Sequence, residues 1–275
     1  MPGHDMQSAS KQTIPAIQAQ ETKSSLPSAF GTGGLVLFYI VLFVAWEMLL
    51  PLLGVPAYLV PIPSMILHSL QQGLFVGTYL TDLGITLMEM LSGFGIAVAL
   101  GLIVGALIVE FRFVEKVFYP IIVALQSLPK IALAPLILIW VGFGIESKIT
   151  MAALVAFFPV LVNTVTGLRA YDRDMHELFR SLSANRGQIL WRLKIPAALP
   201  FIIAGLDVGF IFALLGAIVG EFVGSSAGLG YAIIQLQYQF DTAGVFAILV
   251  ILALIGITGH TLINMLGKQA AFWQK

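Results

Sequence analysis

The sequence predicts an all-α integral membrane protein with six membrane-crossing helices and one polar segment set between them. Hydrophobic residues make up 59% of the 275 residues and charged ones only 10%, against about 25% charged in a soluble domain. The apolar residues gather into runs that reach the roughly 20 residues a helix needs to cross hydrocarbon. Laid end to end, those runs also sort the cations unevenly between alternate loops.

Residues 1–33 are polar and rich in Ser, Gln and Pro. They lack the basic start, apolar middle and small-residue end of a cleavable signal, and are expected to form a disordered cytoplasmic tail. The spans follow at 34–53, 82–109, 117–143, 147–168, 195–222 and 244–266, within a transmembrane domain covering 34–268. Pro129 and Pro135 interrupt the third run, so a kinked or discontinuous helix is expected there. Residues 269–275 form a short C-terminal tail on the same side as the first.

With the N-terminus inside, twelve of the 14 Lys and Arg residues fall on the cytoplasmic side. Lys130 and Lys148 alone fall outside. That asymmetry is what the positive-inside rule demands, and it makes the 169–194 connection cytoplasmic. Residues 51–81, with PLLGVPAYLVPIPS, carry no Lys or Arg, and residues 223–243 carry Asp241 but no cation. Both face the far side.

Other chemistries are excluded early. Formal net charge is zero, which gives no bulk attraction for nucleic acid. There is no cysteine, hence no disulfide framework or thiolate chemistry. His4, His68, His176 and His260 are scattered without metal-ligand spacing, and no G-x-x-x-x-G-K-[ST] sequence occurs. No cofactor, metal or catalytic residue is expected in this chain, and ATP would have to be handled by another polypeptide.

The most informative stretch is Glu177–Pro200, ELFRSLSANRGQILWRLKIPAALP. It is too polar for a bilayer and too patterned for a linker. Residues 174–183 can form a short helix, 184–186 a turn, and 188–194 the amphipathic start of the next span, with Pro196 in a tolerated first turn. Arg180, Arg186, Arg192 and Lys194 could pair with an acidic groove on a partner. A basic loop whose cations only set topology is the competing reading.

This segment resembles the EAA loop of the inner-membrane permeases of binding-protein-dependent ABC importers. Glu177, Leu178 and Phe179 occupy the first three places of that pattern and Ser183 the place of its glycine. The resemblance extends through VPIPS (60–64), LPKIALAPLILIWVGFGIESK (128–148), FFPVLVNTVTGLR (157–169) and VGEFVGSSAGLGY (219–231). It is nearest to the branch serving nitrate, sulfonate, taurine and pyrimidine precursors. It implies a type I permease fold in a bacterial inner membrane, two copies pairing, cytoplasmic ATPase subunits and an external solute-binding protein. It also implies a coupling helix at about 174–194, with Glu177, Leu178, Phe179, Ser183, Ala184, Arg186 and Arg192 meeting the ATPase. The loss of glycine at Ser183 removes an easy positive-φ position, and bulky Leu178 and Phe179 call for a matched ATPase surface.

Inside the spans, Glu89 and Asp207 lie deep in apolar runs, where a carboxylate costs on the order of 3 kcal/mol and should face a partner or a wet cavity. Relatives commonly carry a cation at both places. Asp207, with Gly209 and Gly216 along the fifth span, is the candidate lining of the translocation path, and Glu89 joins it. A path bearing Asp207 would disfavour strongly anionic cargo. The structural alternative pairs Glu89 or Asp207 with Lys130. Glu47 and Glu221, nearer helix ends, are expected to reach the headgroups. The spacings Gly101-xxx-Gly105, Gly205-xxx-Gly209 and Gly216-xxx-Gly220 let backbones approach, within one subunit or between two. The loop Gly224–Gly230 is expected only to turn the chain.

Cargo of the sulfonate, taurine or nitrate kind and a neutral pyrimidine-type precursor both fit. An ion-coupled secondary transporter, using Glu89 and Asp207 as ion sites, is the rival from another class, but no inverted repeat is visible between the halves.

Overall fold

The computed structural model describes residues 32–270. The chain divides into two compact units, one through Ala45 and one from Trp46. Helix α1, Thr32–Leu52, passes from the first into the second. Thereafter come α2 (Pro63–Phe75), α3 (Tyr79–Glu110), α4 (Arg112–Gln126), a 3-10 turn (Lys130–Leu133) and α5 (Ala134–Val141). Next is the span α6 (Ile145–Arg169), followed by the polar segment α7 (Arg173–Ser181), α8 (Arg186–Ile189) and a π turn (Leu190–Lys194). The chain closes with α9 (Ile195–Gly224), α10 (Leu229–Tyr238) and α11 (Thr242–Ala270). No strand occurs among the described residues.

Among the described residues five helices are long and apolar enough to cross a membrane, and α4 with the segment Lys130–Val141, bent by 92° at the break, counts as a sixth if the pair is taken as one span. The bend falls at Pro129, and Pro135 sits in the first turn of α5, where a missing N–H costs nothing. The fifth span begins in the amphipathic stretch expected to lead into it, for the helix is continuous from Arg186 to Gly224. Pro196 offers no N–H for the usual bond four residues back. The helix answers with a π turn, in which the Ile195 N–H donates to the Leu190 carbonyl. The two connections expected on the far side are not plain loops: each holds a short helix, α2 and α10.

The core forms around α6, whose buried residues run from Ser147 to Leu168. Glycines let α3 and α9 approach it from both sides. A methyl group at Gly93 would fall 2.5 Å from Ala152 Cβ, and one at Gly216 would fall 2.7 Å from Ala152 Cα. Gly101 and Gly209 press on Val160, Gly105 on Thr164, and Gly205 on Asn163 in the same way. The small-residue spacing thus serves packing within the subunit, where close van der Waals contact replaces the hydrophobic driving force that lipid cannot supply.

Candidate functional site

Helix α7 is a short, self-contained device. Asp172 caps it by accepting from the N–H groups of Asp174 (2.8 Å) and Met175 (3.4 Å). At its other end the Ser183 N–H donates to Arg180 O and the Ala184 N–H to Phe179 O, both at 3.0 Å. Ser183 itself takes φ 60°. This is a Schellman motif, and its pivotal residue is normally glycine because only glycine enters the left-handed region without a Cβ clash. Ser183 thus adopts the geometry that the missing glycine would have supplied. Asn185 then starts α8 through a reciprocal capping box with Gln188, each bond 2.8 Å.

No residue of α7 is buried. Met175, Leu178 and Leu182 are 44%, 50% and 73% exposed, and with half-buried Phe179 they stand at i, i+3, i+4 and i+7, one apolar stripe on a polar helix. Glu177, Ser183, Arg186 and Arg192 are exposed and Ala184 is half-buried. Two ion pairs tie the flanks of this segment to the α3–α4 elbow: Lys194 to Glu110 at 3.2 Å and Arg169 to Glu115 at 2.7 Å. The first is shielded, its side chains 12% and 18% exposed. Between segment and elbow lies a groove of about 920 Å³, lined by Arg112, His176, Arg180 and Arg186 among others.

At the opposite end, carboxylates hold the start of α10. Asp82 accepts from the Gly228 N–H at 3.0 Å, and the Thr86 hydroxyl oxygen from the Leu229 N–H at 2.9 Å. Glu221 accepts from the N–H groups of Gly230 and Tyr231 and from the Thr86 hydroxyl. Glu221 is therefore 1% exposed and does not reach the headgroups as expected; the open N–H groups of a helix start draw it inward. The Gly224–Gly230 loop does more than turn the chain, since its Gly228 and Gly230 N–H groups meet protein carboxylates and its Leu229 N–H meets the Thr86 hydroxyl. Glu47 likewise serves α2, accepting from the Ser64 N–H (3.0 Å) and hydroxyl (2.6 Å).

Glu89 is 2% exposed, beside Glu221 and Lys148. Its partner is not Lys130, whose ammonium donates to Gln126 O at 3.1 Å and lies over the Phe158 ring. Lys148 donates to the carbonyls of Phe143, Gly144 and Gly224, joining α6 to the ends of α5 and α9. Among the path candidates, Gly209 and Gly216 face α6 within the chain and Glu89 is enclosed. Asp207 alone keeps an open side, 24% exposed, and its partner is His260 of α11: Nδ1 lies 2.8 and 2.9 Å from the two carboxylate oxygens. Sequence reading had no signal for this pair, since the residues lie 53 positions apart on separate spans.

Several long apolar helices packed on one another, with one capped, exposed helix between two of them, suit a multi-pass membrane protein. Residues 97–271 match the family described as binding-protein-dependent transport system inner membrane component, and the chain belongs to it. It is similar to the formylaminopyrimidine transport permease protein ThiX of Halalkalibacterium halodurans, 38% identical over 87% of this chain and 95% of that one. The riboflavin transport system permease protein RibX of Chloroflexus aurantiacus is 35% identical, over 96% and 99%. The putative aliphatic sulfonates transport permease protein SsuC of Bacillus subtilis is 32% identical, over 85% of each. Among solved structures, an inward-facing conformation of the MetNI methionine ABC transporter shares the fold at TM-score 0.62 and 20% identity, over 70% of this chain and 95% of that one. The chain is accordingly an inner-membrane permease subunit of an ABC importer, in a family that works with an ATPase and a solute-binding protein.

Proposed function

We propose that two copies of this chain form the passage for a small organic solute, and that α7 with its following turn is the contact through which cytoplasmic ATPase subunits drive it. The observation that carries this reading is the apolar stripe Met175, Leu178, Phe179 and Leu182, on a helix none of whose residues is fully buried in its own chain. A contiguous exposed apolar patch on a polar segment marks a docking face. The rigid capping at Asp172, Ser183 and Asn185 suits a part that must transmit displacement rather than bend. The Glu110–Lys194 and Glu115–Arg169 pairs would pass that displacement to α3 and α4 as well as directly into α9.

Both termini lie on the cytoplasmic side in this reading, and the chain itself performs no catalysis. The α2 and α10 side then faces the solute-binding protein. Relatives named for formylaminopyrimidine and riboflavin transport are more similar to this chain than the one named for aliphatic sulfonates, which supports a nitrogen heterocycle over a sulfonate as cargo.

The test is uptake into proteoliposomes holding the permease with its ATPase and binding protein. Leu178→Asp and Phe179→Asp should leave folded protein but abolish ATPase co-purification and ATP-driven uptake. Uptake that persists in these variants, or that ignores ATP and collapses with the proton gradient, would overturn the proposal.

A further inference from the structure

We infer that Asp207, His260 and Asn264 form a polar contact in the solute passage, one that admits uncharged or cationic hydrogen-bonding cargo and discourages anions. The inference rests on the permease reading above and deepens it by naming the charge class of the cargo.

Asp207 is the thirteenth of the 30 residues of α9 and His260 the nineteenth of the 29 of α11. At 1.5 Å per residue they lie about 18 Å from Ile195 and about 15 Å from Ala270, well inside the two spans. His260 is nevertheless 59% exposed. A paired carboxylate and imidazole so deep in a membrane helix belong to a wet cavity or a second protein surface, not to lipid. The same face of α11 continues polar toward its end, with Asn264 and Lys268 at one-turn steps from His260 and Thr261 at its edge. That continuity fits a watered passage better than an interface between copies, which would favour small and apolar side chains.

The chemistry of the pair sets what it can accept. A carboxylate only accepts, so Nδ1 of His260 carries the proton it shares with Asp207. Nε2 is then left without a proton to share with Asp207, on a side chain that is 59% exposed, while Asn264 Nδ2 lies 3.2 Å from Nδ1 and 3.4 Å from Nε2 and donates to the His260 carbonyl at 2.9 Å. A neutral imidazole leaves the pair at minus one, and an imidazolium leaves it at zero. In neither state is it positive. An alkanesulfonate or nitrate finds no counter-charge at the Asp207–His260 pair itself, whereas a neutral heterocycle finds hydrogen-bonding partners there.

The chain holds no cysteine, which makes single-cysteine labelling direct. Thr261→Cys and Asn264→Cys, each assembled with the ATPase in membrane vesicles, are treated with a trimethylammonium or a sulfonate methanethiosulfonate reagent. Both positions should react and, with each rate taken relative to that of a free thiol in solution, the cationic reagent should be favoured by about threefold or more, the bias expected of a focused negative field. Asp207→Asn in the Thr261→Cys background should erase the bias. No labelling by either reagent, or a bias that survives Asp207→Asn, overturns the inference. A disulfide between two copies at position 264 without labelling also overturns it and makes the pair a contact between copies. Failure of the wild-type proteoliposomes to show ATP-driven uptake would instead overturn the permease reading, whatever the labelling shows.

Discussion

Replacing Ser183 by glycine should tighten the turn that follows α7, and replacing it by valine should loosen it. Ser183 holds φ 60°, where an L side chain costs about 1–2 kcal/mol through the approach of Cβ to the following carbonyl. Glycine removes that cost but gives back about 0.5–1 kcal/mol of extra freedom in the open turn. The net gain is about 0.5–1 kcal/mol, a two- to fivefold fall in the open population. Valine, branched at Cβ, should lose about 1–2 kcal/mol relative to serine. The N–H groups that report this are Ser183 and Ala184, which donate to Arg180 O and Phe179 O. Hydrogen exchange followed by mass spectrometry on a peptide covering 180–188 should slow two- to fivefold in the glycine variant and speed about tenfold in the valine variant, while peptides from α6 stay unchanged. The ATP consumed per solute moved should follow, lower for glycine and higher for valine. Equal exchange in all three proteins would refute the reasoning, because the turn would then not depend on a left-handed residue.

Glu221→Ala strands the Gly230 and Tyr231 N–H groups and the Thr86 hydroxyl in a buried site. A loss of about 3–5 kcal/mol is expected, read as a large fall in Tm of detergent-solubilised protein, with Glu221→Gln milder because an amide oxygen still accepts. Gly216→Val pushes side-chain carbons against the Ala152 backbone, where even a Cβ would stand 2.7 Å from Cα. It should cost about 1–3 kcal/mol, whereas Gly84→Ala, which meets nothing within 4 Å, should be neutral or slightly stabilising in the same melt. Reversing Lys194 and Glu110 singly should weaken the shielded pair by about 1–2 kcal/mol and impair coupled ATP hydrolysis. The double exchange should recover most of both, a coupling visible only in a mutant cycle.

The composition and the long apolar runs made the spans legible, since every crossing segment must satisfy its own backbone hydrogen bonds and so must be a helix. Pro129 announced the break in the third span, although not its 92° angle. Segment Glu177–Arg192 was legible as a motif, but the Schellman geometry at Ser183 was not, because serine gives no sign that it will accept a positive φ. Glu221 misled for a related reason. Its position near a helix end suggested water, while the N–H groups of Gly230 and Tyr231, arriving from a separate helix, drew it into the interior.

Local sequence by itself determined that this chain crosses the membrane repeatedly, roughly where the long helices lie, and that one polar segment interrupts them. These follow from hydropathy and from backbone satisfaction, which are properties of neighbouring residues. Only the tertiary structure decided which carboxylates are capped and which stay open, and that Asp207 answers to His260. Pairing across spans is set by how α3, α6, α9 and α11 pack, and no spacing along one helix encodes which residue of another will face it.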